Sequence, residues 1–298
     1  MVYIVLALFA AFFTSMTTIL AKVGLKGINS NFATFIRTGV VIVCALILCL
    51  ITGDISKSNI LTWQNWLFLG LSGLATGCSW LCYYKALQLG NVNKVAPIDK
   101  SSFVLTSILF MIFFFDDTTN NGNPLTISML FVSMALMLFG TILMIDKKKD
   151  SEEKSSMWLV FAILSAIFAA LVSLFVKMGL QGIPSNLGTL YRTIVVFVFA
   201  LAIVLARKDY KGAKSISKKS WLFLILSGLA TGAAWLFEYA ALNYEGASPI
   251  VVNSIGKLSI LLTMLISFLF LKEKFTKKAI LGLALLTGGI IIVIVFSL

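Results

Sequence analysis

The chain alternates between long apolar runs and short polar breaks. Ten runs reach roughly the 20 residues that a helix needs to cross about 30 Å of hydrocarbon. They cover 2–21, 32–51, 65–84, 95–115, 125–145, 157–176, 187–206, 221–241, 248–271 and 278–297. The breaks carry turn and charge signals, such as Gly53-Asp54, Asn120-Asn121-Gly122-Asn123-Pro124 and the polar run Asp146 to Lys154. The pattern predicts an all-α integral membrane protein with ten transmembrane helices. The longest connectors, near 146–156 and 207–220, are too short for a soluble domain.

The pattern also repeats. Residues 22–38 align with 177–193 at an offset of 155, with 10 identities in 17, and 66–87 align with 221–242, with 16 in 22. The offset then drifts to 157, so that Lys100 meets Lys257, Thr106 meets Thr263 and Asp116 meets Glu273. Each unit holds five spans, an odd number, so the second must enter the membrane from the opposite side. We expect a first five-helix repeat at 1–146, a polar linker at 147–156 and a second, inverted repeat at 157–298. Inverted repeats are a construction of secondary transporters, with the substrate site near the midplane between them. A duplicated membrane scaffold without transport is the competing reading.

Composition agrees with this picture. Hydrophobic residues make up 59% and charged residues 12%, against about 45–50% and about 25% in soluble domains. The chain has no His, which excludes His-based acid/base chemistry and His metal ligands. Its four cysteines (Cys44, Cys49, Cys78, Cys82) lie inside apolar runs, with no disulfide or metal-site spacing. No phosphate-binding glycine loop is present, which argues against ATP-driven transport. The chain opens directly into an apolar run, so no cleavable signal peptide is expected. We expect neither enzyme activity, cofactor nor bound metal.

One feature does not fit a lipid-facing chain at first sight: 24 Lys+Arg stand against 12 Asp+Glu, a net charge of +12. In a soluble protein this excess would suggest a polyanion partner. Sorting the cations by loop removes that reading. Loops on the side of the N-terminus hold Lys57 and Lys177, and loops on the other side hold eighteen cations. By the positive-inside rule, both termini are expected to be extracytoplasmic in a multi-pass protein of the cell (inner) membrane. The partners expected are the lipid bilayer and a small-molecule substrate, with no nucleic acid; whether the chain dimerises stays open.

Four cations remain inside spans, as two symmetry pairs: Arg37 with Arg192 and Lys100 with Lys257. An ionisable group in the bilayer costs at least about 2.5–3.5 kcal/mol, so each is a functional candidate. Lys100 and Lys257 fall about a turn into the fourth span of each half, among small polar residues. They are read either as an electropositive site for a carboxylate or phosphate, or as partners of structural ion pairs, with snorkelling to the interface a third use. Arg37, Arg192 and Asp99 are expected to play a gating or structural role. Glu238 is the one acid well inside a span and breaks the symmetry, because its mate is Tyr83. It is a candidate for proton coupling, for binding a substrate amine, or for a salt bridge. Trp80, Tyr83 and Tyr84, and Trp235, Glu238 and Tyr239, lie at i, i+3, i+4 and so share a helix face. Such faces suit an organic substrate or an interfacial belt. The patterns Gly73-x-x-x-Gly77 and Gly228-x-x-x-Gly232 are read as close-packing sites that set the third spans of the two halves against each other. Pro97 and Pro249 start the fourth spans, as first-turn residues or as breaks.

The duplicated W-(x)n-SGLATG-xx-W segments, Lys100-Ser101-Ser102 with Lys257-Leu258-Ser259, the acids Asp116 and Glu273, and the closing glycines (Gly140, Gly288, Gly289) carry a likeness along the whole chain. On these the sequence resembles the drug/metabolite transporter superfamily, in its ten-span EamA-type branch. The resemblance implies a bundle in which spans one to four of each half surround a central cavity, with the fifth and tenth at the periphery. It implies substrates such as amino acids, sugar phosphates, nucleotide sugars or amines. Sugar-phosphate members use paired basic residues from the fourth and ninth spans, which Lys100 and Lys257 match. The orientation departs from the many relatives whose termini are cytoplasmic.

Two functions follow. One is a secondary transporter of a small polar metabolite, amino-acid-like or anionic, working by alternating access. Its cavity would be lined by Trp80, Tyr83, Tyr84, Lys100, Trp235, Glu238, Tyr239 and Lys257. The other is proton-coupled efflux of organic cations or amines through Glu238.

Overall fold

The computed structural model describes residues 2–25, 28–119, 122–144, 156–210, 216–272 and 276–296, apart from the side chains of 93, 100, 117, 118 and 271. The described residues are helical, with ten segments long and apolar enough to cross a membrane. In the first repeat these are α1 (Val2–Gly24), α2 (Ser30–Thr52), α3 (Trp63–Leu89), the fourth span as α4 (Val92–Lys100) and α5 (Ser102–Phe113), and α7 (Pro124–Met144) after the short α6 (Phe115–Thr119). In the second they are α8 (Met157–Gly179), α9 (Ser185–Arg207), α10 (Lys218–Leu242), the ninth span as α11 (Pro249–Lys257) and α12 (Ser259–Leu271), and α13 (Lys277–Phe296). Most of the linker expected at 147–156 falls outside the described residues.

Local chemistry repeats with the sequence. Thr62 caps α3 in a reciprocal box with Asn65, and its mate Ser217 caps α10 by accepting from the Ser220 amide at 3.1 Å. α2 and α9 both end on a left-handed residue, Gly53 (φ 71°) and Lys208 (φ 56°). Just beyond each lies an Asp that grips the other repeat. Asp209 accepts from Asn29 Nδ2 at 2.8 Å and Asn31 Nδ2 at 2.7 Å, and Asp54 accepts from Asn186 Nδ2 at 2.9 Å. Each carboxylate thus sits at the positive N-terminal end of α2 or α9.

Cross-repeat packing builds the bundle. α1 packs along α10 and α3 along α8. A Cβ on Gly24 would meet Leu224 at 3.1 Å, and one on its mate Gly179 would meet Leu69 at 3.1 Å. Large apolar side chains such as Leu50, Ile51, Phe139 and Phe270 stay exposed around the perimeter, as contact with lipid requires. Gly140 and Gly282 bring α7 and α13 into backbone contact, so the fifth and tenth spans pair with each other.

Four expectations are corrected. The glycine motifs do not set α3 against α10. A Cβ on Gly73 would meet the Arg192 carbonyl at 2.7 Å, and one on Gly228 would meet Val40 at 2.8 Å, so the motifs seat α3 on α9 and α10 on α2. The fourth and ninth spans are each interrupted by one residue, Ser101 and Leu258, directly after Lys100 and Lys257. Pro249 does start its helix, but Pro97 lies inside α4. Lys22, Lys177 and Lys94 were counted as loop cations. The first two lie in the last turns of α1 and α8, and Lys94 is buried within α4.

The Asp54 clamp makes a pH prediction. Burial pushes its carboxyl up, but hydrogen bonds from Thr52, Asn186 and Lys57 outweigh this and hold it below the usual carboxylate range. A depressed folded value contributes stability that is present above the ordinary value of about 3.9 and lost as pH falls through the folded value. In detergent, Asp54→Asn should melt about 2–4 °C below the parent at pH 6. The gap should close below about pH 3. Equal melting at pH 6 would remove the clamp.

Candidate functional site

Between the repeats, at the middle of the bundle, lies a cavity of about 210 Å³. Its wall comes from both halves. α1 contributes Thr14, Thr17 and Thr18, α3 contributes Thr76, Ser79, Trp80, Tyr83 and Tyr84, and α10 contributes Thr231, Trp235, Glu238 and Tyr239. Asp99, Ser102, Asn253 and Lys257 enter from the broken spans, Arg192 from α9, and Ser173 and Lys177 from α8. Of the residues the sequence singles out, Trp80, Tyr83, Tyr84, Asp99, Arg192, Trp235, Glu238, Tyr239 and Lys257 therefore share one wall. The backbone of Lys100 ends α4, but its side chain lies outside the described residues.

The centre is an aromatic stack. The Trp80 and Trp235 rings lie 5.2 Å apart and 28° from parallel. On each side of it a guanidinium rests on the aromatic face of its own repeat. Arg37 lies 4.5 Å from the Tyr84 centroid and 5.2 Å from Trp80, and Arg192 lies 4.3 Å from Trp235 and 5.3 Å from Tyr239. Each then donates Nη2 across to the other repeat, Arg37 to Thr231 Oγ1 at 2.7 Å and Arg192 to Thr76 Oγ1. The threonine hydroxyls spend their own protons on the carbonyls one turn back, Ser227 and Ser72, which leaves an oxygen lone pair for the arginine. Arg37 and Arg192 are 0% and 1% exposed, and their Nε and Nη1 atoms have no hydrogen-bond partner among the described residues. Burying a charge this way is costly, and cation–π contact is what the site offers in return. Arg192 borders the cavity, whereas Arg37 is not among its lining residues.

The remaining polar groups break the two-fold symmetry. Asp99 Oδ1 accepts from Ser165 Oγ at 2.8 Å, and Ser165 touches Ser79 at 3.2 Å. Their repeat mates are Gly256, Ala10 and Ala234, so the polar cluster exists once. Tyr83 donates to Thr18 at 3.4 Å, while its mate Glu238 adds a carboxylate to the cavity lining. Lys257 Nζ donates to Ser102 Oγ at 3.3 Å, bridging the two helix breaks. The wall thus combines cations, carboxylates, hydroxyls and aromatic faces. Among the described residues there is no cluster of His, Cys, Asp and Glu suited to a metal.

Sequence reasoning missed the threonine wall and Lys177. A signal existed for Thr76 and Thr231, which are identical mates inside SGLATG. Thr14, Thr17 and Thr18 follow i, i+3, i+4 spacing in an apolar span.

Removing either cross-repeat acceptor should be visible in stability. Thr76→Val and Thr231→Val each leave a buried guanidinium hydrogen unpaired, at a cost of about 1–3 kcal/mol. Thermal melting in detergent should drop for both by similar amounts, and an unchanged melting temperature in both would rule out the clamps.

Comparison with known proteins agrees with this architecture. A relative from Sinorhizobium sp, described as an uncharacterized transporter in the cobO 3′ region, is 47% identical over 107 residues, covering 36% of this chain and 76% of the relative. A solved protein crystal structure superposes with a TM-score of 0.70 at 12% identity, over 99% of this chain and 98% of its own, which is a likeness of fold. The EamA-like transporter family matches the chain twice, over residues 1–145 and 156–295. Two matches in tandem, one per five-span repeat, mean that this chain belongs to the EamA-like transporter family and serves membrane transport.

Proposed function

We propose that the chain is a secondary transporter that moves a small polar metabolite, amino-acid-like or anionic, across the cytoplasmic membrane by alternating access. The observation that carries this reading is the cavity between the repeats, which is lined by Lys257, Arg192 and Lys177 together with Glu238, Asp99 and the Trp80–Trp235 pair. Its volume of about 210 Å³ falls below the roughly 300–1,000 Å³ of drug-sized sites, which favours a metabolite over a bulky organic cation. A carboxylate would meet Lys257, an ammonium group would meet Glu238, and the hydroxyls of Thr14, Thr17 and Ser102 would take the remaining polar atoms. Trp80 and Trp235 would cover the apolar part of the solute. Asp99 or Glu238 would serve as the proton-coupling carboxylate if transport is proton-driven.

Thermal-shift and proteoliposome uptake screens with anionic, zwitterionic and cationic solutes test the assignment. We expect stabilisation by zwitterionic or anionic metabolites. We expect Lys257→Ala to weaken apparent affinity at least about tenfold, the loss of one charged hydrogen bond. Stabilisation by lipophilic cations alone, abolished by Glu238→Gln, would replace this reading with proton-coupled cation efflux.

The orientation is tested separately. Single cysteines placed near the termini in a cysteine-free background should react with an impermeant thiol reagent in intact cells, as extracytoplasmic termini require. Protection of both until lysis would reverse the assignment.

A further inference from the structure

Lys22 and Lys177 hold equivalent positions in the two repeats but make different contacts. On the face opposite the termini, Lys22 Nζ donates to the Leu87 carbonyl at 2.7 Å and the Gly90 carbonyl at 2.9 Å. These are end carbonyls of α3, which lack helical partners and carry the negative end of the helix dipole. The end of α1 is thereby tied to the end of α3. Gln88 adds a bond to the Ile28 carbonyl at 2.6 Å, and Leu25, Phe32, Leu87, Val95 and Trp158 pack into one apolar cluster there. The cavity stops short of this seal, at Tyr83, Tyr84 and Asp99.

On the face carrying the termini the equivalent tie is open. The carbonyls that correspond to Leu87 and Gly90 are those of Leu242 and Glu245. Lys177 Nζ makes no hydrogen bond to either among the described residues, and lies 5.9 Å from the Phe114 ring. Lys177 and Leu242 line the central cavity and also a smaller one of about 90 Å³, whose other walls are Leu180, Gln181, Gly182 and Asn243. The side-chain bond that matches Gln88, from Asn243 to the Ile183 carbonyl, persists at a longer 3.2 Å.

Two repeats with the same sequence pattern thus show both states of one joint. In an inverted-repeat transporter, exchanging the conformations of the repeats produces the opposite-facing state. We infer that Lys22 and Lys177 are alternating latches: each ties its own span to the C-terminal carbonyls of α3 or α10 when its face is closed, and releases them when that face opens. The inference rests on the alternating-access reading above. In the opposite-facing state, Lys177 bonds the Leu242 and Glu245 carbonyls, and Lys22 lets go of Leu87 and Gly90.

Spin-label distances in lipid nanodiscs test this, with the four native cysteines replaced by alanine. One pair, Val23→Cys with Leu89→Cys, reports the sealed face; its repeat mate, Met178→Cys with Tyr244→Cys, reports the other. We expect Lys22→Ala to lengthen the first distance and shorten the second, moving the population ratio about tenfold for the lost charged hydrogen bonds. Lys177→Ala should deplete the population with a short second distance, and Lys22→Arg, which keeps a donor, should restore the unaltered distributions. If Lys22→Ala does not fold, Lys22→Gln should shift the ratio in the same direction by less. The two ideas fail differently. Reciprocal distances in the unaltered chain whose ratio ignores the Lys22 variants would leave alternating access standing and overturn the latch. A first distance that lengthens with no shortening of the second would overturn alternating access and the latch together.

Discussion

Two arginines buried at the middle of a membrane bundle, with no carboxylate in hydrogen-bond contact among the described residues, set the terms for the rest of the structure. A guanidinium cannot shed its proton as other buried groups do, so its surroundings must accommodate a permanent charge. Arg37 and Arg192 are accommodated by stacking on Tyr84 and Trp80, and on Trp235 and Tyr239, and by reaching a threonine of the opposite repeat. That arrangement requires α3 and α10 to present their aromatic faces inward and requires the repeats to stay in register. The glycines at 73, 77 and 228 serve the same end, because they let α3 and α10 approach α9 and α2 closely enough for the clamps to close. The cavity borders these clamps at Arg192, Thr76 and Thr231.

Within that symmetric frame, the chemistry is asymmetric. Glu238 has Tyr83 as its mate, and the Asp99–Ser165–Ser79 cluster is matched by Gly256, Ala10 and Ala234. Under the proposed alternating access, symmetry serves the motion, since the same packing must work in both halves. In the proposed function, asymmetry serves recognition, since a solute with distinguishable ends needs distinguishable walls. The shared joint at Lys22 and Lys177 belongs to the first class and the carboxylates to the second.

Much of the fold was legible because lipid imposes a length on apolar runs and duplication leaves a fixed offset. The run at 2–21 became α1 over 2–24, and the offset of 155 paired Gly24 with Gly179 and Leu69 with Leu224 in matching contacts. The interruptions after Lys100 and Lys257 were not legible, since hydropathy runs straight across both. Lys22 and Lys177 were read as loop charges because a cation at a span end looks the same whether it meets water or caps a neighbouring helix. The site was legible as a helix face, Trp80 with Tyr84 and Trp235 with Tyr239. What those faces hold was not, because Arg37 and Arg192 arrive from other helices and Thr76 and Thr231 cross between repeats. No spacing within one helix encodes a partner on another.

The central claim, that a solute enters between the clamps and meets the paired indoles, is most directly tested by intrinsic fluorescence. Reconstituted protein titrated with the solute panel should show a saturable change in emission with a zwitterionic or anionic metabolite. That change should disappear in a folded Trp80→Phe/Trp235→Phe variant. A saturable change that persists in the double variant, or that only lipophilic cations produce, would contradict the account.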